Sequence, residues 1–246
     1  MTEISKVHVE EADGEYRSRL AKLPPDYAQL DFPSRVSLPL HIDGSGQAMI
    51  RGVDDAARRT IALYAVTLCA QSHPGNDLFR RIVSLVPFGA AKRMRKKIRK
   101  WLHEIELWSA LSPLEQAFVQ DDCPGKGDLI DFSWRAESLH VFLWCLGLAE
   151  ELPPPGEPCR ADELWSRLPP IGFDAREFVR RASLRPGVEI LAELEITFHE
   201  RWHSKNAALK GLTLPVDMHP GILFERHYAL NWLTSEQDWD DVTTDT

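Results

Sequence analysis

The chain has 246 residues, with 29 Lys and Arg against 37 Asp and Glu, a formal charge of −8. Hydrophobic residues make up 43%, charged residues 27%, and the mean hydropathy is −0.29, which excludes collagen-like, low-complexity and wholly disordered chains. No run of about 18 apolar residues occurs, so no membrane span is expected, and residues 1–8 lack the basic start and apolar stretch of a secretory signal.

Residues 1–50 read as an N-terminal arm, with a short helix near 10–22, a stop at Pro24-Pro25 and a turn at Asp43-Gly-Ser-Gly46. Residues 51–246 read as one helical domain. Asp54 is the expected cap of a first helix carrying Ile61, Leu63, Tyr64, Val66 and Leu68. A second carries Leu78, Phe79, Ile82, Val83 and Val86 and breaks at Pro87-Phe-Gly89. A long helix then runs to Ser109, with Met94, Ile98, Trp101, Ile105 and Trp108 in one stripe. Ser112-Pro113-Leu-Glu115 spells a capping box with Pro at the first helical position. A loop over 121–128 precedes an apolar helix over 129–149. Pro153, Pro154, Pro155 and Pro158 predict a stiff surface connection. Short helices follow near 161–168 and 174–183, then a long one from Pro186 to Leu209, a last helix over 221–234 and an acidic, extended tail. No fixed-period repeat is visible. The predicted class is all-α: a multi-helix, orthogonal bundle-like domain with a minor β or extended element in the arm.

Cys69, Cys123, Cys145 and Cys159 form no C-x-x-C pair, which argues against a zinc knuckle or dithiol site and for reduced thiols in a cytoplasm. Cys145 lies near His140, but among Leu143, Trp144 and Leu146 it reads as core. No glycine-rich phosphate loop or G-x-S-x-G elbow is present.

His199-Glu200-Arg201-Trp202-His203 is a literal H-E-x-x-H. In zinc hydrolases of that pattern the two histidines bind the metal and the glutamate activates its water. The helical wheel opposes this. Leu191, Leu194, Phe198 and Trp202 share one direction, and His199 and His203 point about 100° and 140° away, toward solvent. Arg201 sets a cation between them. No third ligand stands at the expected downstream spacing, where Asn206 and Leu209 occur. The metal site is therefore the alternative, and no cofactor is called for.

Lys92, Arg93, Arg95, Lys96, Lys97, Arg99 and Lys100 form a basic run; without them the chain holds 22 cations against 37 acids. Such a helix serves a membrane surface, nucleic acid or an acidic partner, or is a solvated face matched internally, with Glu236, Asp238, Asp240, Asp241 and Asp245 as counter-charges. Given the acidic body, another protein is a better partner than nucleic acid.

In the helix over 129–149, Ile130, Trp134, Val141, Trp144 and Leu148 form a stripe with Glu137 in its gap. Arg226 falls inside the stripe of Ile222, Ala229 and Leu233. A buried carboxylate needs a partner, so Glu137 is expected to meet Arg226, with Arg58 or Arg59 as second choices. The pair either lines a pocket or locks helix packing; locking is favoured. Trp239 beside Asp240 and Asp241 predicts an anchor, its ring buried and its carboxylates on cations or a helix start.

Leu111-Ser-Pro-x-Glu115, Trp134-Arg135-Ala-Glu137, Leu143-Trp144-Cys-Leu-Gly147, Glu225-Arg226-His-Tyr-Ala-Leu-Asn231-Trp-Leu233 and the block from Trp239 to Thr246 resemble the bacterial DUF4272 family over roughly residues 54–246. The resemblance implies an α-helical domain with no known activity or cofactor. It implies that the H-E-x-x-H is a local exchange, that Trp202 packs, and that Arg226 and the Asp240-Asp241 pair serve something common to the family. The resulting expectation is a cytoplasmic interaction module, for instance an immunity or accessory protein of a bacterial conflict system, with the zinc hydrolase as its competitor.

Overall fold

A computed structural model describes residues 5–8, 14–18, 47–73, 89–213 and 218–244. Strands β1 (Ser5–His8) and β2 (Gln47–Ile50) pair antiparallel, Ser5 opposite Ile50 and His8 opposite Gln47. The helices are α1 (Val53–Gln71), α2 (Ala90–Glu104), α3 (Pro113–Gln120), α4 (Lys126–Cys145), α5 (Ala161–Trp165), α6 (Arg176–Arg181), α7 (Gly187–Leu209) and α8 (Pro220–Leu233). The class is all-α with a minor N-terminal β ribbon, as the sequence predicted. No helix among the described residues is long and apolar enough to cross a membrane.

The core is a stack of α1 on α4, α4 on α8 and α8 on α7. Helix α1 is buried on nearly every face, because Ala56, Ala57, Ala62, Ala65 and Ala70 let neighbouring helices approach closely. Its cap is Gly52, two residues before the expected Asp54, and Asp54 and Asp55 instead occupy its first turn, where carboxylates suit the helix dipole.

Sequence logic holds best at α3. Ser112 accepts from the Glu115 N–H, Glu115 accepts from the Ser112 N–H, and Pro113 takes the first turn. It fails at the end of α2. The expected helix to Ser109 stops at Glu104, because Glu106 turns left-handed at φ 60°. Trp108 therefore leaves the stripe, enters a 3-10 turn and stacks on His103 at 4.6 Å. The helix expected over 78–86 and the turn at 43–46 lie outside the described residues. Residues 14–18 are helical, within the predicted 10–22.

The β ribbon lies against the N-terminus of α7. A Cβ on Gly187 would come within 2.3 Å of Val7 and 2.7 Å of Ile50, so only glycine lets the ribbon seat there. Arg51 then ties β2 to the far end of the chain. Its N–H donates to the Leu233 carbonyl at 2.8 Å, and its guanidinium donates to the Trp232 and Gln237 carbonyls at 2.7 Å each.

Candidate functional site

The basic run divides into two faces. Lys92, Arg95 and Arg99 turn toward α3. Arg95 is wholly buried, stacked 4.3 Å over the Phe118 ring, and donates to the Phe118 carbonyl. Arg99 donates to the Val119 and Gln120 carbonyls and to Asp122, and Lys92 meets Asp122 at 2.8 Å. These cations cap the C-terminus of α3, where unpaired carbonyls and the dipole favour positive charge. Arg95 is therefore no surface residue. Arg93, Lys96, Lys97 and Lys100 form the second face, and all are exposed. Lys100 meets Glu104 at 3.5 Å; Arg93, Lys96 and Lys97 have no ion pair among the described residues. Among the described residues the tail acids Glu236, Asp238, Asp240 and Asp241 are not their counter-charges, and Asp245 lies outside the described residues.

The residues flagged on α4 and α8 gather in one polar seam. Glu137 and Arg226 are both buried, 2% and 3% exposed. Arg226 lies close enough to favour the Glu137 anion, but the joining ion pair is a different one. Arg135 meets Glu225 at 3.1 Å, and Ser138 donates to the same carboxylate at 2.7 Å. The Arg135 guanidinium also covers the Tyr228 ring at 4.3 Å. Arg226 donates instead to the Pro153 carbonyl at 2.8 Å. Arg58 reaches Asp54 and Arg59 reaches Glu115, so neither second choice meets Glu137.

The proline-rich connection is a strap, not a free surface spacer. The His219 N–H holds the Pro155 carbonyl at 2.6 Å, and the Trp134 ring stacks on His219 at 5.1 Å. At the strap's end the Cys159 N–H donates to Glu137 Oε1 at 2.6 Å. Glu137, His140 and Cys159 each offer a ligand atom within 4.8 Å of the others. Burial raises the Glu137 carboxyl and the Cys159 thiol above their ordinary values, and burial lowers His140 to about 4, helped by Arg226 and Arg167. Cys145 is fully buried and separate from this group.

The C-terminal block is held through Trp239 and Asp240. Trp239 is 4% exposed, edge-on to Tyr228 at 4.9 Å, and the Tyr228 hydroxyl donates to its carbonyl. Asp240 accepts from the Leu114 N–H at 3.0 Å, in the first turn of α3. Asn231 donates to the Thr243 carbonyl at 2.8 Å. Asp241 is exposed at the rim of a cavity of about 720 Å³, lined also by Arg51, Asp55, Arg58, Asp238 and Asp240. Acids and cations both line it, and the arginines are already hydrogen-bonded within the protein.

The H-E-x-x-H histidines do not point into solvent. His199, Glu200, Arg201 and His203 are all buried, whereas Trp202 is only half-buried. A wheel sees one partner, but α7 has two. Helix α8 covers one side, and the N-terminal segment covers another, with Tyr16 5.9 Å from His199. Burial lowers His199 to about 4, and burial with Glu195 raises Tyr16 to about 12. The motif does not bring a third metal-ligating side chain to both imidazoles among the described residues. Trp144 is buried core under the Arg185 guanidinium, 5.0 Å away, which ties the end of α4 to the turn after it by donating to the Trp144, Ala149 and Glu150 carbonyls.

Sequence reasoning missed His140 with Cys159, Arg59 with Glu115, and Arg185. The Glu137-x-x-His140 spacing was visible and puts both on one helical face. Nothing in the sequence says that the strap returns Cys159 to them.

The model of DUF4272, a domain of unknown function, matches residues 21–242. The match reaches well into the arm, beyond the resemblance over roughly residues 54–246. No curated protein and no solved structure matches.

Proposed function

As the chain belongs to the DUF4272 family of domains of unknown function, we propose its role from its own surface: it is a protein-binding module whose contact face is the outer side of α2. The observation that carries the reading is the row Arg93, Lys96, Lys97 and Lys100. These stand at i, i+3, i+4 and i+7, all exposed, on a body that is otherwise acidic. A cationic row on such a body, with only Lys100 of its members ion-paired among the described residues, steers acidic surfaces toward it.

An apolar anchor lies beside the row. The Gly172-Phe173 turn is held on α2, where Trp101 donates to the Phe173 carbonyl at 2.6 Å and Lys97 approaches Gly172. The Phe173 ring is 66% exposed. An aromatic flanked by cations is the composition of an interface hot spot. The partner that fits is an acidic segment with one apolar side chain. An immunity or accessory protein of a bacterial conflict system is the specific form of this reading, and the four unpaired thiols support a reducing, cytoplasmic setting for it.

The test is binding to fluorescent Asp/Glu-rich peptides carrying one Leu or Phe. Affinity should fall with added salt, and Arg93→Glu/Lys96→Glu/Lys97→Glu should weaken it by about tenfold or more. Phe173→Ser should weaken it without changing the salt slope. Unchanged binding in the triple variant, or tighter binding to single-stranded DNA than to any peptide, overturns the reading.

A further inference from the structure

We propose that Glu137, His140 and Cys159 form a binding site for a zinc-class divalent cation. One ligand atom of each lies within 4.8 Å of the other two, the sole such trio among the described residues. Two of the ligands stand three residues apart on α4. The third arrives on the strap, which is itself fixed by the Arg226–Pro153 and His219–Pro155 hydrogen bonds.

The donor set selects the ion. One carboxylate oxygen, one imidazole nitrogen and one thiolate sulfur suit zinc and its neighbours, whereas magnesium and calcium take oxygen alone. Ligand bonds of about 2.0–2.3 Å set tetrahedral donors about 3.3–3.8 Å apart. Closing from 4.8 Å thus needs about an ångström of side-chain movement.

The second observation is unmet hydrogen-bonding capacity. Glu137 Oε2 and His140 Nδ1 are buried without a hydrogen-bond partner. Orphaned buried polar atoms are uncommon in native proteins and call for a reason. A cation between them supplies one.

The charges also balance. Glu137 as carboxylate and Cys159 as thiolate neutralise a dication, with His140 neutral. On binding, the S–H bond breaks, its proton leaves to solvent, and a sulfur–metal bond replaces the Glu137–Cys159 contact. No electron is transferred. Arg226 and Arg167 are the cations that act on the group. Both oppose the dication, Arg226 favours the thiolate, and Arg226 is held aside on the Pro153 carbonyl. Three protein ligands leave the fourth position to water.

The test uses the full, tag-free chain, stripped with chelator and titrated with Co²⁺ alone. Stoichiometric binding should produce the visible bands of a tetrahedral ion and a sulfur-to-cobalt charge-transfer band in the near ultraviolet. That band should vanish in Cys159→Ser and persist in Cys123→Ser and His203→Ala. Excess Zn²⁺ should bleach it and raise the melting temperature of the native chain but not of Cys159→Ser. His140→Gln keeps both the thiol and the helix, and it should lower Zn²⁺ affinity by at least about tenfold. No cobalt band in the native chain, a band that survives Cys159→Ser, or full affinity in His140→Gln overturns the proposal.

Discussion

The Arg59 guanidinium lies 4.3 Å over the Trp239 ring, joining the first long helix to the last turn of the described chain. On its edges it reaches the Ala110 carbonyl at 3.0 Å and the Glu115 carboxylate. One side chain thus holds α1, α3 and the C-terminal block together. Removing one member of a buried ion pair strands the other charge. Arg59→Met should therefore destabilise the protein by about 3–5 kcal/mol, read from urea unfolding. Arg59→Met/Glu115→Gln should recover part of that loss. A single variant within about 0.5 kcal/mol of native would show that the contact is idle.

Deleting residues 237–246 removes the Trp239 ring from the core and the Asp240 carboxylate from the start of α3. Burial of a Trp side chain is worth about 3–5 kcal/mol, so the melting temperature should drop by about 10 °C. Asp240→Asn keeps the shape and loses the charge at a helix start, and it should cost under about 1 kcal/mol. An unchanged melting temperature in the deletion refutes the anchor.

Arg95 and Lys96 are neighbours in the basic run with opposite environments. Arg95→Ala empties a buried site and strands the Phe118 carbonyl, and it should cost about 2–4 kcal/mol. Lys96→Ala should stay within about 0.5 kcal/mol. Equal effects in denaturant titrations would contradict the division of α2 into two faces.

His227 is wholly buried on α8, 5.7 Å from the Phe198 ring, and burial with Arg201 and Lys205 lowers it to about 3. Its folded form stays neutral while the unfolded chain takes a proton below about pH 6.5. The stability it contributes is complete above that pH and lost as pH falls toward about 3. The slope is about 1.4 kcal/mol per pH unit. His140 and His199 shift in the same direction. Glu137, raised by burial, acts the other way. The urea midpoint should fall from pH 7 to pH 5, and His227→Phe should flatten the fall. A midpoint that does not change over that range would reject this account.

Gly187→Ala tests the seat of the β ribbon. The added methyl meets Val7 and Ile50, and overpacking of this kind costs about 1–3 kcal/mol. Protection of the β1–β2 amides from hydrogen exchange should fall along with global stability. Intact protection would mean that the ribbon shifts without loss.

The legible parts of this fold are those written in local chemistry. Ser112 and Glu115 cap each other within four residues, and Pro186 and Pro220 mark where α7 and α8 begin. The burial of Glu137 and Arg226 was readable from their places in apolar stripes. What was not readable depends on distant covering. His199 looks solvated on a wheel until Tyr16 of the N-terminal segment is laid over α7. Arg95 looks like its lysine neighbours until the open end of α3 is placed beneath it. Cys159 carries no periodic signal, because a proline strap sets its position.

The Arg59–Trp239 stack has a consequence for how the protein is made. From residue 59 to residue 239 is 180 residues, or about 10–35 s of ribosomal synthesis. For most of that interval the first helix has been made while its indole partner does not yet exist. The nascent chain therefore carries the Arg59 guanidinium without its ring until Trp239 has been added.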